Sequence, residues 1–99
     1  MRVVEWTDPA LADFEAYLDE LDLHDARVAD RAEQDIRSTV SRLADHPRYG
    51  HESRWPGLLQ WSTRRWHKII VYRELPDGLR VIAFLDTRRD LSVIDLSEI

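Results

Sequence analysis

Residues 61–90 read WSTRRWHKIIVYRELPDGLRVIAFLDTRRD and contain two apolar runs, 68–72 and 81–85. Both runs are short and rich in β-branched and aromatic residues, which favours strands over a buried helix. They have almost no polar side chains, so we expect both faces of the sheet to be covered. Between them, Pro76 presets φ, and we expect Gly78 to supply a positive φ for the reversal. The stretch therefore predicts a central β-hairpin.

The chain before this hairpin predicts a strand followed by two amphipathic helices. β-Branched residues favour a strand at 2–6, and the TDP sequence at 7–9 is typical of a helix N-terminus. Apolar residues then recur at spacings of three and four until Pro47 ends the pattern. They are Leu11, Phe14, Leu18 and Leu21 in the first helix and Ala29, Ala32, Ile36, Val40 and Leu43 in the second. A short break between the two predicts an antiparallel helical hairpin packed on the sheet.

The segment between the second helix and the hairpin has two parts. Residues 47–57 hold two prolines and two glycines and predict a long loop, a type that is often functional. Residues 58–65 alternate and predict a strand that completes a three-stranded meander, with the N-terminal strand joining at an edge. After 90, the apolar residues of the tail predict a short strand or helix, or a segment that docks on a partner; they are Leu91, Val93, Ile94 and Leu96.

These elements define the expected architecture. We predict an α+β fold of order β-α-α-β-β-β, in which an N-terminal strand and an antiparallel helical hairpin pack on a small, mainly antiparallel sheet. The 99 residues, 43% of them hydrophobic, are typical of one domain over 1–99. Without cysteine the chain has no disulfide and no thiolate ligand or nucleophile. No apolar window resembles a signal peptide or a membrane span, so we expect a cytoplasmic protein.

The net charge of −5 is distributed unevenly along the chain. Residues 1–46 carry 12 acids and 5 arginines, whereas residues 47–99 carry 9 basic residues and 7 acids. Between residues 48 and 73 a basic cluster has one acid, Glu52; its members are Arg48, Arg54, Arg64, Arg65, Lys68 and Arg73. Such a cluster indicates either a ligand-binding surface or charges that keep exposed strands soluble. An average charge would therefore mislead about partners.

The sequence has few candidates for acid–base chemistry. It contains no phosphate-binding glycine loop, no paired metal-ligand histidines and no nucleophile elbow, and we expect no metal site and no cofactor. Cleaving RNA without a metal needs a base, a cation and an acid. Cations are plentiful, but His51 is the one histidine inside the basic loop. We expect His67 and Lys68 to lie on opposite faces of one strand. Trp61 alternates into the core, whereas Trp55, beside proline, is the better binding contact.

Four segments resemble the RelE/ParE superfamily of toxins from bacterial toxin–antitoxin pairs, over nearly the whole chain. They are residues 6–14 (WTDPALADF), 43–50 (LADHPRYG), 67–73 (HKIIVYR) and 85–90 (LDTRRD). Residues 67–73 look like the core strand of the family, and 85–90 look like its closing motif. The resemblance implies a helical hairpin on a small, largely antiparallel sheet, which agrees with the prediction from the residues.

The resemblance implies two branches of activity. RelE-like members are described as ribosome-dependent mRNA endonucleases that use basic strand residues with a Tyr or His near the C-terminus, and ParE-like members as inhibitors of DNA gyrase without established catalytic residues. Here Asp86 stands where the closing histidine would be, and an ordinary aspartate is ionised at neutral pH. We therefore favour the ParE-like branch, with the endoribonuclease as the alternative and a non-toxic member of a complex as a third. Whether the chain is an enzyme stays open; candidates for a nuclease are Lys68, Arg88, Arg89 and His51.

The same resemblance implies the partners. We expect a cognate antitoxin, ParD-like or similar, that wraps the toxin with an acidic segment, and DNA gyrase or the ribosome as target. Operator DNA would be contacted only through the antitoxin, and no membrane is involved. An acidic segment would neutralise the basic surface and lie in a groove between the helices and the sheet edge. The residues predicted to bind the target or the antitoxin are Arg48, Arg54, Trp55, Arg64, Arg65, Lys68, Arg73, Arg88 and Arg89.

Overall fold

The computed structural model describes residues 2–97 and has a helical hairpin packed on one face of a five-stranded sheet. The sheet order is β1-β5-β4-β3-β2, with β1 parallel to β5 and the other neighbours antiparallel. The predicted α+β fold is confirmed, with one strand more than expected. The elements are β1 (Val3–Trp6), α1 (Asp8–His24), α2 (Ala26–Asp45), β2 (His51–Glu52), β3 (Leu59–Thr63), β4 (Lys68–Leu75) and β5 (Gly78–Asp86), with 3₁₀ turns at Pro47–Tyr49, Arg64–Trp66 and Leu91–Val93.

Side chains cap both helices, the first of them within the TDP sequence that predicted its N-terminus. The Thr7 hydroxyl accepts a hydrogen bond from the backbone N–H of Ala10 at 3.3 Å and donates one to the carbonyl of Ile82 at 3.0 Å. It therefore begins α1 and joins the helix to β5. Asp25 has extended backbone geometry between the helices, and its carboxylate accepts from the N–H of Arg27 at 2.9 Å. Within residues 2–97, neither helix is long and apolar enough to cross a membrane.

The sheet is covered on both faces, as its apolar strands predict. The face under the helices forms one core; its buried members are Ala10, Phe14, Ile36, Val40, Leu43, Ala44, Ile70, Tyr72, Leu79, Val81 and Phe84. The opposite face forms a second core, made of Trp55, Leu58, Ile69, Val71, Ile82, Ala83, Leu85 and Leu96. The tail packs against this second core through Leu91 and Ile94. Among the structures predicted for the tail, the short helix is therefore the one observed, as a 3₁₀ turn, and the tail packs on the protein's own sheet.

The hairpin forms where it was predicted, but the reason given for Gly78 was wrong. Residues 76 and 77 make the turn, and Gly78 begins β5 without a positive φ. A Cβ on Gly78 would instead collide with the backbone of Val3, because β1 passes directly beside it. The glycine is needed for close approach of two strands.

Three local predictions between residues 47 and 67 were also wrong. The loop at 47–57 contains a 3₁₀ turn and the short β2, which pairs with Gln60 and Leu59. The strand predicted to run to 65 ends at Thr63, because a 3₁₀ turn follows it. His67 then has a left-handed backbone with φ of 55°, so it lies in the turn before β4 and not in the strand with Lys68.

Candidate functional site

The fold separates the basic cluster into groups. Arg64 and Arg65 lie in the 3₁₀ turn that joins β3 to β4. Arg48 lies toward the other end of β4, where its Nε is 3.7 Å from Oε1 of Glu74. Arg73 alternates onto the face opposite the helices, and its Nη1 lies 3.9 Å from the Cβ position of Gly57. A single basic patch over 48–73 is therefore not present.

Lys68 is a basic side chain of this set that is largely buried. Its side chain is 14% exposed, and its Nζ lies 3.6 Å from Oδ2 of Asp86. The ammonium also lies 4.5 Å from the ring centroid of Tyr17 and 5.5 Å from that of Phe84. A cation over an aromatic face is attracted by the negative face of the ring, so these contacts help to hold the ammonium in place. We call Tyr17, Lys68, Asp86 and Arg88 the Lys68 cluster.

Asp86 is held ionised in this cluster. Hydrogen bonds from the Arg88 guanidinium and backbone N–H, the latter 2.8 Å long, lower the pKa of Asp86 well below its usual range, and Lys68 acts in the same direction. Burial, followed by the charges of Asp86 and Glu20, raises the pKa of Tyr17. The Tyr17 hydroxyl donates to the carbonyl of Trp66 at 3.5 Å. At neutral pH the cluster therefore holds an ion pair and a protonated phenol.

The four nuclease candidates do not meet in one site. Lys68 and Arg88 share Asp86, and Arg89 is exposed in the following turn, where its backbone N–H bonds to the Asp86 carbonyl. His51 lies on β2, three strand spacings from β5, a distance of about 14 Å. Its ring stacks on that of Trp61, with centroids 6.2 Å apart. His51, the one titrating side chain among these four candidates that could serve as a general base near neutral pH, therefore does not lie beside Lys68 and Arg88.

Trp55, predicted as a binding contact, is a core residue. Its side chain is 8% exposed and belongs to the second core. The indole N–H donates to the carbonyl of Ile94 at 2.8 Å, which anchors the tail. The neighbouring Arg54 is exposed, and its charge helps lower the pKa of Asp90, after the larger effect of hydrogen bonds from Ser92. This loop stabilises the fold instead of presenting an aromatic contact.

A groove runs between α2 and β3, on the helix side of the sheet edge. One part has a volume of about 300 Å³ and lies toward Arg64 and Trp66; the other has about 290 Å³ and lies toward Leu43 and Tyr49. Thr39, Arg42 and Trp61 line both parts, so the two parts are adjacent. We call this the α2–β3 groove.

Arg65 forms the wall at one end of this groove. Its Nη1 is 3.6 Å from Oδ2 of Asp35, and its guanidinium lies 5.0 Å from the ring centroid of Trp66. The Trp66 indole N–H donates to the same carboxylate oxygen at 3.2 Å. Asp35 therefore fixes both side chains in position.

Comparison with known proteins identifies the family. The model of the ParE toxin of type II toxin–antitoxin systems, parDE, matches residues 4–91. The chain belongs to the ParE toxin family. A solved structure described as the chromosomal ParDE toxin–antitoxin system from P. aeruginosa superposes with a TM-score of 0.77 and 24% identity, over 89% of this chain and 98% of that one. At that identity the likeness shows the fold. A search of curated proteins finds no match.

The ParE match confirms the resemblance drawn from the four sequence segments. The matched range includes the Lys68 cluster and the whole α2–β3 groove, and it ends before most of the tail. Sequence reasoning had singled out Arg64, Arg65 and Trp61 but missed Arg42 and Tyr49, which also line the groove. Arg42 lies outside the apolar stripe of α2, and no sequence signal placed it beside β3. Tyr49 follows a proline in a segment without periodicity.

Proposed function

We propose that this ParE-family protein is a toxin that inhibits DNA gyrase and is neutralised by a cognate antitoxin. Family membership supports a toxin of this type. The protonation state of Asp86 is the observation that favours gyrase over RNA as the target. Its carboxylate is ionised and bound to Lys68 and Arg88, so it cannot donate a proton at neutral pH.

Hydrolysis of an RNA backbone needs a group near the cations that exchanges a proton at working pH. The Tyr17 ring lies beside the Lys68 ammonium, and the raised pKa of its hydroxyl leaves it protonated and unable to act as a base. His51 lies three strands away. Inhibition by binding requires none of these groups, which supports the gyrase proposal over an endoribonuclease.

The antitoxin part of the proposal rests on charge and on a relative. The similar solved structure is described as a ParDE toxin–antitoxin system, so that protein assembles with an antitoxin. In this chain, Arg42 and Arg64 make no ion pair within residues 2–97. An acidic segment would gain favourable contacts there. We also propose that the protein is cytoplasmic, because gyrase acts on DNA.

The test is to induce the chain alone in bacteria and follow incorporation of labelled thymidine and labelled methionine over the first minutes. Inhibition of gyrase should reduce thymidine incorporation first, with broken chromosomal DNA. If methionine incorporation falls first, the endoribonuclease replaces the proposal. If growth is unchanged while an immunoblot shows that the protein is produced, the chain is a non-toxic family member that acts only within a complex.

Asp86→Asn is the matched variant for the same assay. It keeps the shape of the side chain and removes its charge and any proton relay. A toxin that acts by binding should still arrest growth, because Lys68 and Arg88 keep their charges. Loss of arrest in a variant that remains folded, checked by circular dichroism, would favour a catalytic role for the cluster.

A further inference from the structure

The first strand of the chain has one open side. β1 lies at the edge of the sheet, and within residues 2–97 it has a neighbouring strand, β5, on one side alone. The N–H groups of Val3 and Thr7 donate to the carbonyls of Asp77 and Val81, at 2.8 and 3.0 Å. Because backbone groups alternate along a strand, the N–H and carbonyl groups of Val4 and Trp6 point away from the sheet. Both residues therefore present backbone donors and acceptors to another strand.

The side chains at this edge are also suited to contact with another strand. Val4 and Trp6 lie on the helix side of the sheet, where the Trp6 ring stacks on Phe14 with centroids 5.0 Å apart. Val4 is 37% exposed, and it lines with Trp6 a cavity of about 300 Å³ between β1 and α2. On the other face the charge of Glu5 is neutralised, since its Oε2 lies 2.8 Å from Nη2 of Arg80. An incoming strand would meet apolar side chains and a paired charge.

The β1 edge lacks the features that usually prevent pairing with another chain. Proteins protect strand edges with proline, with a bulge, with an unpaired charge or by making the strand very short. β1 has the sequence VVEW, and its four residues keep a continuous register with β5. The strand at the opposite edge, β2, has two exposed residues, His51 and Glu52. The protection that shortness and charge give to β2 is therefore missing at β1.

We propose that the β1 edge pairs with the β1 edge of a second copy of this chain, so that two five-stranded sheets become one continuous sheet. The strands run antiparallel around a twofold axis at Val4. This register places Val4 opposite the partner's Val4 and Trp6 opposite the partner's Arg2, and each of these pairs exchanges backbone hydrogen bonds. A register centred on Glu5 would instead place two carboxylates opposite each other, which destabilises a ladder.

Complementarity favours a copy of the same chain over a peptide of unrelated sequence. Arg2 is exposed and forms no ion pair with the other described residues, 3–97. In the paired edge its guanidinium lies beside the partner's Trp6, and an arginine is attracted to a tryptophan ring. The twofold symmetry forms this contact twice and brings the two Val4 side chains together. An unrelated peptide need not carry an arginine and a valine at these positions.

The contact is small, so the dimer should be weak. A ladder of about five residues on each side buries less than the roughly 1,200 Å² of a stable interface. Each copy also has a net charge of −5, and salt screens the repulsion between the copies. We expect a dissociation constant on the order of 10 μM that falls as salt is added. The dimer leaves the α2–β3 groove accessible, because β3 lies three strand positions from β1. It does not depend on the proposed function.

The first experiment is sedimentation velocity of the purified, full-length chain between about 2 and 200 μM. The test variant is Val4→Arg, which places two like charges opposite each other across the twofold axis. The matched control is Val93→Arg, because Val93 is 75% exposed and lies in the tail. Circular dichroism verifies that both variants are folded. Val93→Arg should dimerise as the wild type does, and Val4→Arg should raise the dissociation constant about tenfold or more.

A cross-linking experiment tests the register. The chain has no cysteine, so Val4→Cys introduces a single thiol in each copy. In the proposed register the two Cα atoms at this position lie about 5.5 Å apart, within the range of a disulfide. Mild oxidation should therefore give a covalent dimer with Val4→Cys, and much less with Glu5→Cys or Val93→Cys. The proposal is overturned if the wild type is a monomer at every concentration, if Val4→Arg dimerises unchanged, or if Glu5→Cys forms the disulfide faster than Val4→Cys.

Discussion

The two edge strands of the sheet are attached in different ways. β1 pairs with β5 over four residues, and its backbone passes so close to Gly78 that no side chain fits between them. β2 pairs over two residues, and the segment before it is held by the Tyr72 hydroxyl, which donates to the carbonyl of Pro47. β1 is attached by a backbone ladder along its whole length, whereas β2 has a shorter ladder with the Tyr72 hydroxyl bond beside it.

This difference predicts that the two edges of the sheet contribute unequally to the stability of the fold. Exposed strand edges are sites where another chain can pair, so proteins usually cover or shorten them. β2 covers half of β3 and leaves Ser62 open beside a groove that contains Arg42 and Arg64. We infer that substitutions between β1 and β5 mainly change the free energy of unfolding. We expect substitutions at the open part of the β3 edge to change the free energy of unfolding less.

The largest expected effect is that of Gly78→Ala. Its Cβ would occupy the position of the Val3 backbone, so β1 must move or separate from β5. We expect the free energy of unfolding to fall by about 3 kcal/mol or more. The measurement is urea denaturation followed by tryptophan fluorescence, since Trp6 lies in β1.

Gly57→Ala is the comparison variant for Gly78→Ala. Gly57 has φ of 79°, but its nearest neighbour would lie 3.9 Å from the new Cβ. The substitution introduces backbone strain alone, with a cost of about 1 kcal/mol. Equal losses in the two variants would contradict the role assigned to the contact between Gly78 and Val3.

Tyr72→Phe should have the next largest effect, on the other edge. Tyr72 is fully buried, and its hydroxyl bonds to the Pro47 carbonyl beside Gly50. Removing it leaves a carbonyl without this partner, with an expected cost of about 1 to 3 kcal/mol. Hydrogen exchange should show the loss of protection first around 47–52. Faster exchange spread evenly over the sheet would instead indicate that the hydroxyl stabilises the core as a whole.

Asp86 lies between the two edges, and its substitution should have a smaller effect that depends on pH. The pKa of Asp86 is lowered in the folded state, so its ionised form stabilises the fold above the usual aspartate pKa of about 4, and this contribution is lost as the pH falls below it. The difference in unfolding free energy between wild type and Asp86→Asn should be about 1 kcal/mol above about pH 5, and should shrink below about pH 4. A difference that does not change between these pH values would refute the ion pair.

The sequence predicted the elements better than it predicted their neighbours. Periodicity and caps located both helices, and the apolar runs located β4 and β5, because these signals are local. Which residues a side chain meets depends on contacts far apart in the chain. The need for Gly78 comes from Val3, which is 75 positions away, and the burial of Trp55 comes from the tail at Ile94.

The candidate site was harder to predict for the same reason. The count of arginines between 48 and 73 was correct, but it gave no information on which charges are neutralised by distant carboxylates. Asp86 binds Lys68 and Asp35 binds Arg65, whereas Arg42, outside the counted segment, lines the groove with Arg64. Charge along a sequence therefore indicates a surface only after the sheet order is known.

The smallest expected effect on stability is that of Ser62→Pro. Proline is tolerated at an edge strand when the N–H points to solvent, so the free energy of unfolding should change by less than about 1 kcal/mol. Gln60→Pro is the matched variant, because Gln60 points the same way but pairs with His51. It should destabilise the protein more, since it breaks a ladder hydrogen bond. If Ser62→Pro is the more destabilising of the two in urea denaturation, the N–H of Ser62 has a partner in the folded chain, and the β3 edge is not open.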